Sequence, residues 1–447
     1  MSGYSRRLVA GNHRVLGEGR GVSLGRLDVE LTERCDNDCI HCCICLPADH
    51  EEARRREMTT GEVVGLLEQA CDLGCLSVRY TGGEPLLRDD FEELYLAARR
   101  RGLKVLLFTN ARRITPELAD LFAHIPPLER IEVTVYGMRQ ESYEAVTRRR
   151  GSFAEFRRGV ALLEERGVPF IIKSAWLPPN RGEVGELTEW AAGNPAMEGR
   201  PPGHSLFFEL RGRRLPAAAG RQAAAAADTD FWWPDPAQRN ELIRSLRAAP
   251  EDGVAFVADR DRERYLAEMR QFCSKFMRVP GDKLFTCGAG HGTCVDAYGV
   301  AQMCLPLRHP DTVFSCRTGR PGGGEPAAKS GSHAPTDPDR GLAPDALRTA
   351  LTGHFPRVRE LRATDPDYLA TCALCFLKGL CEQCPGKSWS EHGALDRRVD
   401  YLCDVAHAQA RDLGLLKAGE RAWEVKDAAG RVDDFSAGRR VRLATSP

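Results

Sequence analysis

Two neighbouring segments, Leu27-Asp-Val-Glu-Leu-Thr32 and Cys35-Asp-Asn-Asp-Cys39-Ile-His-Cys42, decide the fold of this chain. The first alternates apolar and polar residues, which predicts a half-buried β-strand. The second places three thiols on what should be a loop at the C-terminal end of that strand. In sheets covered by helices, binding sites are built at this edge. Because thiolate sulfur binds iron–sulfur clusters and also structural zinc, the loop is a candidate metal site.

Strand-like and helix-like segments alternate from residue 27 onward, which is typical of βα units on a parallel sheet. Capping-box patterns at Thr59-Thr-Gly-Glu62 and Ser152-Phe-Ala-Glu155 predict helix starts, as does the Thr115-Pro116 pair. The charged run 51–57 is interpreted as a solvated loop. The predicted strands are 27–32, 75–81, 103–109, 131–136, 169–176 and 205–211. The predicted helices are 59–73, 89–101, 115–124, 152–166, 183–192, 237–248 and 261–276.

A second motif, Gly82-Gly-Glu-Pro85, follows the second predicted strand. Paired glycines allow a close approach to a ligand and a positive φ angle. Backbone groups at a strand end can also hold an α-amino acid group. The structural alternative is a plain turn from strand to helix.

Cysteines return near the C-terminus in groups with metal-ligand spacing. Eight of them are enough to saturate two four-iron clusters, whereas C-x2-C-x5-C-x2-C taken alone is equally typical of a zinc site. These eight are Cys287, Cys294, Cys304, Cys372, Cys375, Cys381, Cys384 and Cys403. Cys71, Cys75, Cys273 and Cys316 are interpreted as structural.

Composition excludes several classes of protein. Lysine plus arginine equals aspartate plus glutamate at 63 each, so no basic field indicates a nucleic-acid or membrane partner. No apolar run is long enough to span a bilayer, and we expect a cytoplasmic protein. The 17 cysteines are clustered in a chain of 447 residues, which favours metal or cluster ligation over a disulfide framework.

Taken together, the three motif groups resemble the radical S-adenosylmethionine (SAM) superfamily, specifically its SPASM-containing subgroup. The resemblance implies an α/β fold with a partial (β/α)6 barrel followed by a small cysteine-rich SPASM domain. The open iron of a 4Fe-4S cluster would chelate SAM, and one electron would release a 5′-deoxyadenosyl radical that abstracts a substrate hydrogen. An electron donor such as flavodoxin or ferredoxin is implied as a partner.

The resemblance also implies roles for individual residues. Cys35, Cys39 and Cys42 would bind the SAM-binding cluster, and Gly82, Gly83 and Glu84 would contact the amino group of SAM. Asn110, Thr134 and Lys173 match positions that contact its ribose and carboxylate, although each residue type also has an ordinary structural use. One auxiliary 4Fe-4S cluster would use Cys287, Cys294, Cys304 and Cys384, and a second would use Cys372, Cys375, Cys381 and Cys403. The final C-x2-C spacing, where the family has x3, leaves the partner of Cys384 open.

The predicted organisation has five parts: a lead-in (1–26), the barrel (27–214), a linker or lid with bridging helices (215–280), the SPASM domain (281–410) and a C-terminal tail (411–447). Residues 317–340, rich in Gly, Pro and Ser, are predicted to form a disordered insertion. The aromatic cluster Phe231-Trp-Trp is expected to pack on the barrel or to line a substrate entrance.

Modification of a ribosomally made peptide or protein is the predicted function. The alternatives are oxidation or rearrangement of a small metabolite and, more remotely, a non-catalytic Fe–S or zinc protein. A separate leader-peptide-binding protein is a possible partner, because no such domain is recognised near the N-terminus. Sulfatase-maturing relatives carry an acidic base directly after the cysteine that matches Cys304. Here that residue is Leu305, which disfavours sulfatase maturation. No acid, base or radical quencher can be named, and Cys43, Cys45 and Tyr136 are only candidates.

Overall fold

The computed structural model describes residues 24–42, 44, 46–205, 241, 244–258, 261–277, 281–287, 293–322, 341–439 and 441. These residues form two compact units. The first contains the described residues up to 246 together with 293–358, and the second contains 247–287 and 359–441. Several predicted features lie outside the described residues: the lead-in up to residue 23, Cys43, Cys45, the strand segment 206–211, the aromatic cluster and residues 323–340.

The first unit is built on one sheet of ten strands. The six strands that come first in the chain are mutually parallel, as predicted. They are β1 (Leu27–Thr32), β2 (Ser77–Gly82), β3 (Lys104–Thr109), β4 (Leu128–Thr134), β5 (Phe170–Ala175) and β6 (Gly203–Ser205). All six therefore point their C-terminal ends to the same edge.

Four short strands extend the sheet beyond β1, and sequence reasoning did not predict them. They are β7 (Thr293–Val295), β8 (Val300–Gln302), β9 (Phe314–Ser315) and β10 (Arg320–Pro321). Strand β7 is parallel to β1, and the other three follow as an antiparallel meander. The order of the strands in the sheet is β10-β9-β8-β7-β1-β2-β3-β4-β5-β6. The predicted disordered insertion is therefore wrong for 317–322: Arg317 forms an ion pair with buried Glu62 (2.7 Å), and 320–321 form β10.

Helices connect the parallel strands and cover the sheet. In the barrel region they are α1 (Glu51–Arg56), α2 (Thr60–Asp72), α3 (Phe91–Arg100), α4 (Pro116–His124), α5 (Gln140–Thr147), α6 (Ser152–Glu165) and α7 (Val184–Gly193). The capping box at Thr59 and Glu62 is confirmed, with both reciprocal hydrogen bonds present. Gly74, with φ of 76°, lies beyond the end of α2.

Two local predictions are wrong. Residues 51–56 of the run 51–57 form a helix rather than a loop, because His50 caps it and its acidic first turn and basic last turn suit the helix dipole. Ser152 is not an N-cap: Gly151 occupies that position, and the Ser152 hydroxyl pairs with Thr147 (2.7 Å). Glu155 cannot close a capping box because its carboxylate is bound by Arg112.

The second unit is helical and encloses a core of its own. Its helices are α8 (Pro250–Ala258), α9 (Arg262–Phe276), α12 (Pro366–Ala370), α13 (Pro385–His392), α14 (Asp400–Asp412) and α15 (Ala428–Ser436). Helix α10 (Ala346–Thr349) and most of α11 (Phe355–Arg359) belong to the first unit. Single helical turns lie at Pro85–Leu87, Pro178–Glu183, Pro195–Met197, Pro310–Thr312, Ala350–His354, Phe376–Gly379 and Ala422–Glu424. Part of the predicted tail packs into this core through buried Val432 and Phe435. Among the described helices, none is long and apolar enough to cross a bilayer.

Candidate functional site

The three-cysteine loop begins directly after β1 at the C-terminal edge of the parallel strands. Arg34–Cys35 pairs with Leu46–Pro47, which closes the base of the loop. Its middle is bound to the C-terminal end of α5, since Asp38 N donates to Thr147 O and Ile40 N donates to Val146 O, both at 2.9 Å. Helix α5, which sequence reasoning missed, therefore positions the loop.

Each of the three sulfur atoms of this loop accepts a hydrogen bond from an N–H or O–H group. Asn37 N donates to Cys35 Sγ (3.4 Å), and Ile44 N donates to Cys42 Sγ (3.3 Å). The hydroxyl of buried Tyr136 hydrogen-bonds Cys39. N–H and O–H groups aimed at sulfur are the donors that stabilise cluster thiolates.

The surroundings of the thiols disfavour their negatively charged form. Burial, followed by the charges of Asp36 and Cys39, raises the pKa of Cys35 well above its usual range. Burial and the neighbouring Cys42 likewise raise the pKa of Cys39. The three thiols lie close enough to oppose one another's ionisation, and bound iron would remove that penalty. This donor set thus fits a cluster with three protein ligands.

The Gly82-Gly83 pair packs against the start of the same loop. Gly83 N donates to Thr32 O (2.7 Å), and Glu84 N donates to Arg34 O (2.9 Å). A Cβ atom on Gly82 would lie 2.1 Å from Thr32 O, and one on Gly83 would lie 2.0 Å from Arg34 O. Gly82 also has φ of 124°. The close approach that requires glycine is therefore to the chain's own backbone beside Cys35.

Glu84 connects the end of β2 to the end of β3. Its buried carboxylate accepts from the Thr109 hydroxyl and from Asn110 N, both at 2.8 Å, and from Leu86 N at 3.2 Å. Burial and the negative charge of Asp36 raise the pKa of Glu84 to about 8, against the opposing effect of these donors. Glu84 thus lies beside the cysteine loop, with its side chain engaged in holding strand ends together.

The remaining predicted SAM contacts fall into two groups. Asn110 lies by the loop: its Nδ2 donates to Asp36 Oδ1 (2.7 Å) and is 4.0 Å from Cys35 Sγ. Thr134 and Lys173 are paired in register on β4 and β5. The Lys173 side chain lies against Gly203 of β6: a Cβ atom built on Gly203 would be 3.0 Å from Lys173 Nζ. Both groups lie at the C-terminal edge of the sheet.

Arg34 and Glu57 form a buried ion pair beside the loop, which the sequence analysis did not predict. Glu57 accepts from Arg34 Nε (2.9 Å) and Nη2 (3.1 Å), and it also accepts from the Thr32 hydroxyl. The side chains of Arg34 and Glu57 are only 7% and 6% exposed. No spacing distinguishes Glu57 from its charged neighbours, so sequence carried no signal for this pair.

Four of the C-terminal cysteines line one cavity in the second unit. They are Cys372, Cys375, Cys381 and Cys403, the set predicted for the second auxiliary cluster. Burial raises the pKa of Cys375 to about 12 and that of Cys403 to about 11, and each thiol is opposed by others of the set. Lys378 and Arg398 line the same cavity and supply positive charge. The four thiols thus share one cavity, although among the described residues no three His, Cys, Asp or Glu side chains are gathered closely enough to hold a single metal ion.

The set predicted for the first auxiliary cluster is divided between the units. Cys294, buried on β7, and Cys304 belong to the first unit, whereas Cys287 and Cys384 belong to the second. Cys287 is exposed. The Cys384 sulfur accepts from Lys387 N (3.4 Å) at the N-terminus of α13, and Cys384 is not among the described residues that line the cavity.

Comparison with known proteins agrees with this arrangement. Residues 29–191 match the Radical SAM superfamily. The chain is 28% identical to the AdoMet-dependent heme synthase of Methanosarcina barkeri over 226 residues, or 49% of this chain and 61% of that protein. It is 30% identical to the PqqA peptide cyclase of Rhizobium meliloti over 162 residues, or 36% of this chain and 42% of that protein. The chain thus spans less than two thirds of either curated relative.

Two solved structures have a similar fold. SuiB of Streptococcus suis, bound to S-adenosylmethionine, aligns with a TM-score of 0.53 at 15% identity, covering 89% of this chain and 78% of SuiB. The anSMEcpe structure with bound AdoMet and the Cp18Cys peptide aligns with a TM-score of 0.51 at 13% identity, covering 93% of this chain and 99% of anSMEcpe. The predicted fold class is confirmed. Residues 29–191 thus resemble the radical SAM superfamily, and the fold of the chain is similar to the folds of SuiB and anSMEcpe.

Proposed function

We propose that this chain is an enzyme that cleaves SAM reductively to a 5′-deoxyadenosyl radical and abstracts a hydrogen atom from a ribosomally made peptide or protein. The observation that carries this proposal is the cysteine loop, held at the C-terminal edge of β1 against the Gly82-Gly83 segment. The match of residues 29–191 to the Radical SAM superfamily implies a 4Fe-4S cluster and SAM as cofactors. An electron carrier would need no second motif of this kind beside its cysteines.

The residues of the chain divide the work at this edge. Cys35, Cys39 and Cys42 would hold the cluster, which supplies the electron that reduces the sulfonium of SAM. Gly82, Gly83 and Glu84 would contact the amino group, and Asn110, Thr134 and Lys173 would contact the ribose and carboxylate. Lys173 supports this assignment because its exposed ammonium is a natural partner for a carboxylate at the strand edge. Tyr136 remains a candidate radical quencher.

The C-terminal cysteines would hold two auxiliary clusters. Support is stronger for the set of Cys372, Cys375, Cys381 and Cys403, because these four line one cavity. Cys287, Cys294, Cys304 and Cys384 would form the other set. If all eight thiolates bind iron, neither cluster keeps an open position, so both would transfer electrons. Electrons would come from a donor such as flavodoxin or ferredoxin.

A peptide substrate is favoured by two relatives. The anSMEcpe structure holds a peptide as well as AdoMet in a similar fold, and the PqqA peptide cyclase acts, by its name, on a peptide. The second candidate, a small metabolite, is favoured by the similarity to AdoMet-dependent heme synthase. A separate leader-binding protein would serve the first function but not the second.

Deuterium transfer distinguishes these two functions. The reconstituted enzyme is incubated anaerobically with SAM, dithionite and a deuterated short peptide encoded beside its gene, and 5′-deoxyadenosine is analysed by mass spectrometry. Deuterium in 5′-deoxyadenosine, with loss of the same label from the peptide, supports peptide modification. Unlabelled 5′-deoxyadenosine and an unchanged peptide would overturn that substrate class. The same assay with a deuterated iron-free or metallated porphyrinoid then tests the small-metabolite function.

A further inference from the structure

One histidine in the second unit lies directly against a proposed cluster ligand. His407 follows Cys403 by four residues on α14, so both side chains lie on the same face of the helix. His407 Nδ1 is 3.6 Å from Cys403 Sγ and 2.8 Å from Cys403 O. His407 is 2% exposed and lines the same cavity as the four cysteines.

The hydrogen bonds of the ring determine which nitrogen carries the proton. Ala422 N lies 3.2 Å from His407 Nε2 and can only donate, so Nε2 must be the acceptor. The neutral ring therefore carries its hydrogen on Nδ1, where it donates to the Cys403 carbonyl at 2.8 Å and has the Cys403 sulfur at 3.6 Å as a second acceptor. Trp423 packs edge-on against the imidazole, with ring centroids 5.4 Å apart, and opposes rotation of the ring.

We propose that His407 is a positioning residue for the auxiliary cluster of this cavity: its Nδ1–H hydrogen-bonds the Cys403 sulfur and raises the cluster's reduction potential. The inference rests on the auxiliary site of the proposed function. One-electron reduction adds a negative charge that is shared by the ligand sulfurs. An N–H donor stabilises the reduced form more than the oxidised form, so its presence favours reduction.

The test uses full-length, reconstituted protein that carries Cys35→Ala, Cys39→Ala and Cys42→Ala, so that only auxiliary clusters are present. Redox titration is followed by EPR, and the signal of this cavity is the one that Cys403→Ala abolishes. His407→Phe and His407→Met remove the donor. His407→Asn keeps an N–H near the position of Nδ1. Gln409→Leu is the matched control, since it removes a hydrogen bond to Tyr265 from the same helix but does not line the cavity.

We expect the donor-free variants to show a ratio of reduced to oxidised cluster about tenfold lower at a fixed solution potential, which is about 59 mV for one electron. His407→Asn and Gln409→Leu should stay near the parent. Loss of iron from both donor-free variants, with retention in His407→Asn, would also support the hydrogen bond. An unchanged ratio in His407→Phe or His407→Met overturns the inference alone. Absence of any such cluster in the parent overturns the auxiliary site and this inference together.

Discussion

At the scale of single residues, the cysteine loop depends on neighbours that bind no cofactor themselves. Arg34 precedes the first cysteine, and its guanidinium is held by Glu57 and by Ala48 O. Two charges with so little exposure are stable only as a pair, because each alone would lose its hydration without compensation. The pair therefore joins Glu57, which follows α1, to Arg34, which precedes Cys35.

Glu57→Gln should lower the free energy of unfolding by about 3 kcal/mol or more, because it leaves Arg34 buried without its counter-charge. Urea unfolding measures this. Glu52→Gln in the same short segment is the control: Glu52 and its partner Arg55 are each 57% exposed, so the loss should not exceed about 1 kcal/mol. Equal effects of the two substitutions would contradict the structural role of Glu57.

Glu84 makes stability depend on pH in a defined direction. Because its folded-state pKa is about 8, the folded chain retains a proton that the unfolded chain releases near the usual value of 4.5. Its contribution to stability is therefore complete at low pH and is lost as pH rises through about 8.

Glu84→Gln removes this titration. The difference in free energy of unfolding, wild type minus variant, should fall as pH rises from about 5 to about 8. Urea unfolding at several pH values across this window measures it. A difference that is constant or that increases with pH would show that the carboxylate, stabilised by its three hydrogen-bond donors, is already ionised in the folded chain.

At the scale of elements, the site forms where strand ends meet. Hydrogen bonds join three strand ends to one another and to the loop: the end of β1, the Gly82-Gly83 segment at the end of β2, and Asn110 after β3. Helix α5 holds the other side of the loop through its last two carbonyl groups. The loop is thus held by main-chain hydrogen bonds from two directions, whatever its cysteines bind.

Gly83→Ala should disrupt this element. Its Cβ would meet backbone atoms of Arg34, which cannot move without displacing Cys35, so we expect a loss of at least about 2 kcal/mol together with loss of bound iron. Gly65→Ala, in the middle of α2 with nothing within 4 Å of its Cβ, should instead stabilise the chain by roughly 0.5 to 1 kcal/mol. Retention of iron by Gly83→Ala at wild-type stability would contradict the account.

Sequence patterns predicted those elements whose signals are local. The parallel strands, the Thr59 capping box and the Thr115-Pro116 helix start all follow from short-range periodicity and capping. Tertiary contacts overrode the rest. Glu155 has the capping-box spacing but pairs with Arg112, and Glu57 resembles a solvated charge until its buried partner is known. Strands β7 to β10 are each two or three residues long, too short for any period to show.

At the scale of the whole molecule, the family resemblance divided eight C-terminal cysteines into two sets, and the four members of one set line a single cavity of the second unit. Cys372, Cys375 and Cys381 are close in sequence, and α14 brings Cys403 to them. In the other set, Cys294 and Cys304 belong to the first unit and Cys287 and Cys384 to the second, a division that spacing alone does not predict.

Metal analysis tests the auxiliary sites. Anaerobically purified wild type should contain iron and sulfide without stoichiometric zinc, and Cys372→Ala with Cys403→Ala should lose one cluster, which is about four iron atoms per chain. Cys273→Ala, a buried thiol outside the cavity lining, is the control and should keep wild-type iron. Stoichiometric zinc would contradict both auxiliary assignments.

The central claim is that the loop of Cys35, Cys39 and Cys42 supports reductive cleavage of SAM. The most direct test is 5′-deoxyadenosine formation by anaerobically reconstituted protein with SAM and dithionite, beside the variant in which all three cysteines are alanine. We predict product in the wild type and none in the variant. Equal product from both, or none from an iron-loaded wild type whose EPR spectrum does not change when SAM is added, would contradict the claim.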